Sequence, residues 1–225
     1  MQSKTRTGFL FFLLFFFAIL SAISYVYFRN QNARPWSNKE PSSASIGAGE
    51  FHSFSSWHTL TDEERVDLLS KDARKLSGEK EIYQVLSQAR IPKQTFGLKL
   101  LAMFAGSGKK TASYQVVLLY EKGFYIEEEK VNSAPDYAAE VEDTIKAKER
   151  GELKSDSLPY LSEINGMTAF VGKPGYNIIH EAVKEPRPAV VIWYDPNTGV
   201  ETRIFGPVDL SLTDKDLLAV AESMY

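Results

Sequence analysis

Residues 164–205 read INGMTAFVGKPGYNIIHEAVKEPRPAVVIWYDPNTGVETRIF, and their pattern indicates the fold class. Short runs rich in β-branched and aromatic residues alternate with glycine, proline and asparagine, a pattern typical of strands joined by tight turns. The predicted strands are 167–171, 176–183, 189–194 and 200–205. The predicted turns are Asn165-Gly166, Pro174-Gly175, Pro186-Arg187-Pro188 and 195–199. Because these connections are too short for parallel crossovers, the stretch predicts a mainly antiparallel meander.

A second strand pair is predicted upstream, where apolar runs at 98–105 and 113–121 flank the turn residues 106–111. The returning run has apolar residues at both odd and even positions, which predicts a central strand covered on both sides. The turn, GSGKKT, does not match a phosphate-binding loop. Met103 stands where that loop needs its first glycine, and Lys110 stands where it needs serine or threonine.

Four helices are predicted around these strands. Thr61 and Glu64 form a capping box that begins a helix ending near Gly78, and a second helix covers 79–88. A third, polar helix covers 135–150, and the last covers 214–223 with Thr213 as its cap. The expected fold is α+β, with one antiparallel sheet of five to seven strands and helices packed on one face.

The N-terminal part of the chain is predicted to be a membrane anchor. Residues 8–28 carry no charged side chain and, at about 1.5 Å rise per residue, can span a hydrocarbon core of about 30 Å. A cleaved signal peptide is the main alternative, because Lys4 and Arg6 precede the segment and small residues lie near Ser24. A buried core helix is the third reading of the same segment.

The remaining organisation follows from this anchor. Residues 1–7 form a short cytoplasmic head, 29–56 a linker rich in serine, glycine and asparagine, and 57–225 an extracytoplasmic domain. Basic residues on the two sides of the anchor balance, so this orientation rests on the shortness of the head. Phe51 and Phe54 near the end of the linker and Trp57 directly after it recur every third residue, and they either dock on the domain or form a membrane-interface patch.

Composition excludes several classes of function. The chain has no cysteine and a formal net charge of −3, so it has no disulfide or thiolate chemistry and no excess of basic residues for nucleic acid. His52, His58 and His180 lack the spacing of metal ligands. The acidic run Glu127-Glu128-Glu129 is interpreted as a solvated strand end. We therefore assign no catalytic, cofactor-binding or metal-binding residue and expect no enzyme activity and no cofactor.

Several segments carry a resemblance to a known family. They are Ala89-Arg-Ile-Pro92, Ile164-Asn-Gly-Met167, Ala189-Val-Val-Ile-Trp193 and Leu212-Thr-Asp-Lys-Asp-Leu-Leu-Ala-Val-Ala-Glu-Ser223. Residues 80–225 resemble a bacterial domain-of-unknown-function family (number 4367). The resemblance implies an extracytoplasmic module behind a single membrane helix, sometimes fused to anti-sigma-type regulators, and it supplies no catalytic residues. The charged helix at 135–150 departs from the family pattern as an insertion, and a second proline after Pro92 is missing.

These observations predict a single-pass protein of the cell membrane, in contact with the lipid bilayer through residues 8–28. The domain outside would be a binding or interaction module for an envelope protein or a small ligand, without nucleic acid as a partner. A sensor acting through a membrane partner is the alternative, with Ser21, Ser24 and Tyr25 as candidates for interhelical hydrogen bonds. An envelope hydrolase is the third possibility, and cleavage of the anchor would make the protein secreted.

Overall fold

The computed structural model describes residues 57–107, 114–152, 157–180 and 183–225. The expected head (1–7), membrane segment (8–28) and linker (29–56) lie outside these residues. Among the helices of the described ranges, none combines the length and the apolar character that crossing a bilayer requires.

An eight-stranded antiparallel sheet forms the centre of the domain, and a separate two-stranded ribbon accompanies it. In chain order the strands are β1 (Arg74–Lys75), β2 (Leu100–Ser107), β3 (Tyr114–Tyr120), β4 (Tyr125–Lys130), β5 (Tyr160–Ile164), β6 (Met167–Gly172), β7 (Gly175–His180), β8 (Val183–Arg187), β9 (Val190–Asp195) and β10 (Val200–Phe205). The sheet order is β1-β2-β3-β4-β10-β9-β6-β5, and β7 pairs with β8. The antiparallel prediction is confirmed, with one strand more than the upper expected number.

Within residues 164–205, the structure differs from the predicted meander between Gly172 and Val190. The β6–β9 ladder ends at the pair Gly172 and Val190, and pairing resumes at Gly175 and Arg187 to form the β7–β8 ribbon. Pro174 and Pro188 separate the two ladders, because a proline has no N–H to donate. The predicted strand at 176–183 is confirmed as far as His180, where β7 ends, and it is wrong as a single strand because Val183 begins β8. The predicted turn at 186–188 is wrong, because Pro186 and Arg187 belong to β8.

Four helices lie in the described ranges: α1 (Asp62–Asp72), α2 (Glu79–Val85), α3 (Tyr137–Glu149) and α4 (Asp214–Glu222). The capping boxes of α1 and α4, at Thr61 and Thr213, are both confirmed. Helix α1 ends earlier than predicted, because Ala73 is extended and β1 then pairs with β2. Gly78 therefore begins α2 and does not end α1.

The helices cover both faces of the sheet, in contrast to the expected single face. Helices α2 and α4 pack on one face together with Val116 and Leu118 of β3, and we call this the α2/α4 face. Helices α1 and α3 pack on the other together with Val117 and Leu119, and we call this the α1/α3 face. Since successive side chains of a strand point to opposite faces, β3 is buried on both sides, as its sequence predicted.

Trp57 shows how the chain enters the domain. Its side chain is buried, its indole N–H donates to the carbonyl oxygen of Gly123 at 3.2 Å, and its ring packs edge-on against Tyr125. Arg65 of α1 donates to the Trp57 carbonyl oxygen at 3.0 Å and lies against its ring. The docking interpretation is confirmed for Trp57, whereas Phe51 and Phe54 lie outside the described residues.

Candidate functional site

The histidines considered at first do not form a common site in the structure. His58 has a buried Nδ1 without a hydrogen-bond partner, His52 lies outside the described residues, and His180 ends β7. Within the ranges that the structure describes, no group of three histidine or acidic side chains is arranged to hold a metal ion.

A polar network on the α1/α3 face is centred on Arg203 of β10, and we call it the Arg203 network. The Arg203 guanidinium lies 3.2 Å from Glu127 and 3.8 Å from Glu129, and it also contacts Glu201. Although burial opposes its charge, these carboxylates raise the pKa of Arg203. Three carboxylates around one guanidinium leave an excess of negative charge if all are ionised, and Arg203 is a described cation in contact with all three.

Two further residues extend the Arg203 network to β3 and α3. The Gln115 amide, which is fully buried, donates to Glu127. The Tyr137 hydroxyl donates to Glu201 at 3.2 Å, and burial together with the neighbouring Glu201 raises the pKa of this hydroxyl. Helix α3 is therefore joined to the sheet through polar contacts as well as apolar ones.

The α2/α4 face carries a second network, which we call the Arg90 network. Both carboxyl oxygens of Glu128 accept from the backbone N–H of Arg90, at 2.9 and 3.0 Å. The Arg90 guanidinium donates to Asp195 at 2.9 Å and stacks on the ring of Tyr225 at 3.8 Å. The Tyr225 hydroxyl in turn accepts from the indole N–H of Trp193. This network connects the segment after α2, the central strands and the end of the chain.

Glu128 is the most perturbed carboxyl group of this network. Only 1% of the residue is exposed, and burial raises its pKa to about 8 against the opposing influence of Arg90. The opposite holds for Asp195, where burial opposes ionisation but the N–H of Asn197 and the Arg90 side chain lower the pKa. The interpretation of 127–129 as a solvated strand end is wrong, because β4 is a central strand with covered faces.

Both networks connect elements of the domain in their observed geometry. The Glu128 carboxyl lies in the core, where its oxygens face a backbone N–H, and a general acid needs contact with a substrate. The carboxylates of the Arg203 network contact Arg203 itself. Both networks therefore hold helices and loops against the sheet.

The edge of the sheet at β5 offers a different kind of site. β5 pairs with β6 on one side only, through the two-residue turn Asn165-Gly166, in which both residues have positive φ. In such a hairpin the closing pair, Ile164 and Met167, is hydrogen-bonded, and hydrogen-bonded pairs then alternate along the ladder. The backbone N–H and C=O groups of Leu161 and Glu163 therefore point away from β6, to the open side.

The open side of β5 is accessible. The Leu161 side chain is 40% exposed and Glu163 is exposed, and the backbone of neither bonds to another described strand. At the opposite edge of the main sheet stands β1, with two residues, Arg74 and Lys75, both exposed and basic. Short edges that consist of basic residues resist the addition of a strand, whereas β5 has five residues, one charged side chain, Glu163, and no lysine or proline. Sequence analysis missed β5, although Asn165-Gly166 is a hairpin signal that requires a strand on each side.

Comparison with known proteins adds no assignment to this geometry. No protein-family model, no curated protein and no solved structure matches the chain.

Proposed function

We propose that this protein is a single-pass protein of the cell membrane whose extracytoplasmic α+β domain binds an extended segment of a partner protein along β5. Residues 8–28 anchor it in the bilayer, 29–56 form the linker, and 57–225 form the binding module. The observation that carries the binding role is the open edge of β5. The resemblance of residues 80–225 to an extracytoplasmic bacterial family is compatible with this role.

Backbone groups supply the affinity in this proposal. An incoming strand pairs with the outward N–H and C=O groups of Leu161 and Glu163, beside which no described strand lies. Four hydrogen bonds replace bonds to water, and the partner extends an eight-stranded sheet that is already ordered by its helices. The sheet therefore acts as a rigid template, so the domain loses little conformational entropy on binding.

Side chains supply the specificity. Leu161 and Glu163 point to the same side of the edge, because alternate residues of a strand share a face. A partner strand that places an apolar side chain opposite Leu161 and a lysine or arginine opposite Glu163 gains two favourable cross-strand pairs. The preferred ligand is thus an extended peptide with an apolar residue and a basic residue two positions apart.

Glu163→Pro tests this mechanism. The substitution removes an N–H that points away from β6, so the β5–β6 ladder keeps its hydrogen bonds, and Ser162 before it is already extended, as a residue before proline prefers. Peptides selected from a random library on the purified protein are expected to share the apolar and basic pair. The affinity of these peptides for Glu163→Pro should be at least about tenfold lower than for the wild type. The substitution removes the backbone N–H and the carboxylate of Glu163, and the proline ring obstructs the edge.

Glu163→Ala is the matched control, because it keeps the backbone N–H and removes the carboxylate only. It should weaken binding less than proline does and should reduce the selection for a basic residue. Equal binding by the wild type and Glu163→Pro would show that β5 is not the binding edge, and failure to select any peptide would remove the binding role itself.

The membrane anchor needs a separate measurement. N-terminal sequencing of the protein from the membrane fraction, combined with protease treatment of intact cells, is expected to give an uncleaved N-terminus and a digested domain. A mature chain that begins near Ser24 would indicate cleavage, and a domain protected in intact cells would place it on the cytoplasmic side.

A further inference from the structure

The loop between α2 and β2, together with the first residue of β2, carries two exposed apolar side chains with a lysine near each of them in the chain. Phe96 is 42% exposed and Leu100 is 41% exposed. Lys93 and Lys99, close to them in the chain, are also exposed, and the Lys93 ammonium donates to the Tyr225 backbone oxygen at 3.3 Å. We call residues 92–100 the Phe96 loop. Large apolar side chains that face solvent within a few residues of one another indicate a contact surface more than isolated ones do.

The backbone of the Phe96 loop holds Phe96 in a conformation that a phenylalanine adopts at a cost. The Leu98 N–H donates to the Thr95 carbonyl oxygen at 3.0 Å, and the two residues between them, Phe96 and Gly97, have φ of 51° and 80°. A turn with two positive φ values favours asparagine and glycine. The turn at Asn165-Gly166 has that favoured pair, whereas the Phe96 loop places a large aromatic side chain at the strained position.

The base of the Phe96 loop is fixed to the domain. The Lys99 N–H donates to the Glu121 carboxylate at 3.1 Å, and the Glu121 N–H donates back to the Lys99 carbonyl oxygen at 3.0 Å. On the other side the Gln94 N–H donates to the Ser223 hydroxyl of α4's C-terminal end at 3.1 Å. Both ends of the Phe96 loop are therefore hydrogen-bonded to the domain, and Phe96 is exposed at a defined position.

We infer that the Phe96 loop contacts the surface of an anionic membrane, with Phe96 and Leu100 in the interfacial region and Lys93 and Lys99 at the lipid headgroups. A turn apex is convex, so it fits a deformable lipid surface, whereas a protein partner would have to supply a matching cavity. Basic residues that flank exposed apolar ones are the arrangement that anionic bilayers bind. The inference rests on the proposed function in one respect: the anchor brings the domain close to the bilayer. The affinity of the Phe96 loop for lipid does not depend on the anchor.

The absence of cysteine from the chain makes a local test possible. The full chain with Gln94→Cys, labelled with an environment-sensitive fluorophore, is mixed with vesicles of phosphatidylcholine alone or with phosphatidylglycerol added. We expect a blue shift of the label on the anionic vesicles only, reversed by high salt because the lysine contribution is screened. Each lysine near an anionic surface favours the inserted loop about fivefold. The double variant Lys93→Glu with Lys99→Glu should therefore lower the ratio of inserted to free loop by more than about twenty-fold.

Phe96→Asn separates membrane contact from folding. Asparagine suits the positive φ at this position, so the unfolding midpoint should stay unchanged or rise while the blue shift is lost. Leu161→Ser is the matched control, because Leu161 is equally exposed but adjoins Glu163 and no lysine. It should leave the blue shift intact, and a loss there equal to that in Phe96→Asn would overturn the inference.

Two further outcomes oppose the inference, and a third concerns the anchor alone. A label that reports the same environment on neutral and anionic vesicles overturns it, and so does a shift that appears only when a β5-binding peptide is added. If the full chain fails to cosediment with neutral vesicles, the anchor proposal fails. The Phe96 loop is then tested by cosedimentation of the protein with anionic vesicles. The inference is supported if the wild type sediments with these vesicles and Phe96→Asn does not, and it is refuted if both proteins sediment to the same extent.

Discussion

Replacing Glu128 with glutamine should remove a pH dependence that is built into the core. Glu128 is 1% exposed on the central strand β4, and its carboxyl oxygens accept only from the backbone N–H of Arg90 among the hydrogen bonds observed. Burial raises its pKa to about 8, whereas the carboxyl in the unfolded chain has a pKa near 4.5. Glutamine has the same shape, keeps one oxygen for the Arg90 N–H and cannot ionise.

The sign and the size of the effect follow from these two values. The folded state binds the Glu128 proton more tightly, so this contribution to stability is fully present below pH 4.5 and is lost as the pH rises to about 8. At about 1.4 kcal/mol for each factor of ten in proton affinity, the loss amounts to at most about 5 kcal/mol. A loss of this size is a large part of the stability of an ordinary domain.

Urea unfolding between pH 5 and pH 9, followed by the fluorescence of the buried Trp57 and Trp193, measures the effect. The free energy of unfolding of the wild type should fall across this range, and Glu128→Gln should be nearly independent of pH. Asp195→Asn is the control, because it breaks the ion pair with Arg90 and should lower stability without flattening the slope. Identical slopes for the wild type and Glu128→Gln would refute the assignment of a protonated Glu128 to the folded state.

Two further substitutions, each with a control substitution, test how the faces of the sheet are held. Arg203→Met leaves the carboxylates of the Arg203 network without their cation and should lower the free energy of unfolding by about 3–5 kcal/mol. Arg203→Lys should lower it less, and a neutral result for Arg203→Met in urea unfolding would show that the network is not held by this charge. Leu217→Ala, at a fully buried position of α4, should cost about 2–5 kcal/mol in the same assay, whereas Leu161→Ala at the exposed edge should change little.

Features that depend on a few neighbouring residues were predictable. The capping boxes of α1 and α4 are confirmed because both partners lie within one helical turn of each other. The strand 200–205 and the turn at Asn165-Gly166 are confirmed for the same reason, since turn chemistry is local. Prolines misled the strand assignment at 186–188, because an edge strand tolerates a proline whose missing N–H faces outward.

The candidate site could not be predicted to the same extent. A strand edge is open or closed according to which strand lies beside it, and nothing in residues 160–164 shows that β5 ends the sheet. The same is true of Glu127-Glu128-Glu129, which looks like a solvated end until β3 and β10 are placed on either side. Only then does Arg203 lie opposite Glu127 in the register.

Local sequence patterns predicted the class of the fold, the antiparallel pairing and the places where helices begin, because these depend on hydrophobic period, turn residues and caps within a few positions. The sequence also supplied the apolar segment at 8–28 and excluded thiol chemistry. The three-dimensional arrangement was needed to show that helices cover both faces, that Glu128 is buried and that β5 lies at an edge of the described sheet. These properties depend on contacts between residues far apart in the chain, and no local pattern encodes which segment will lie next to which.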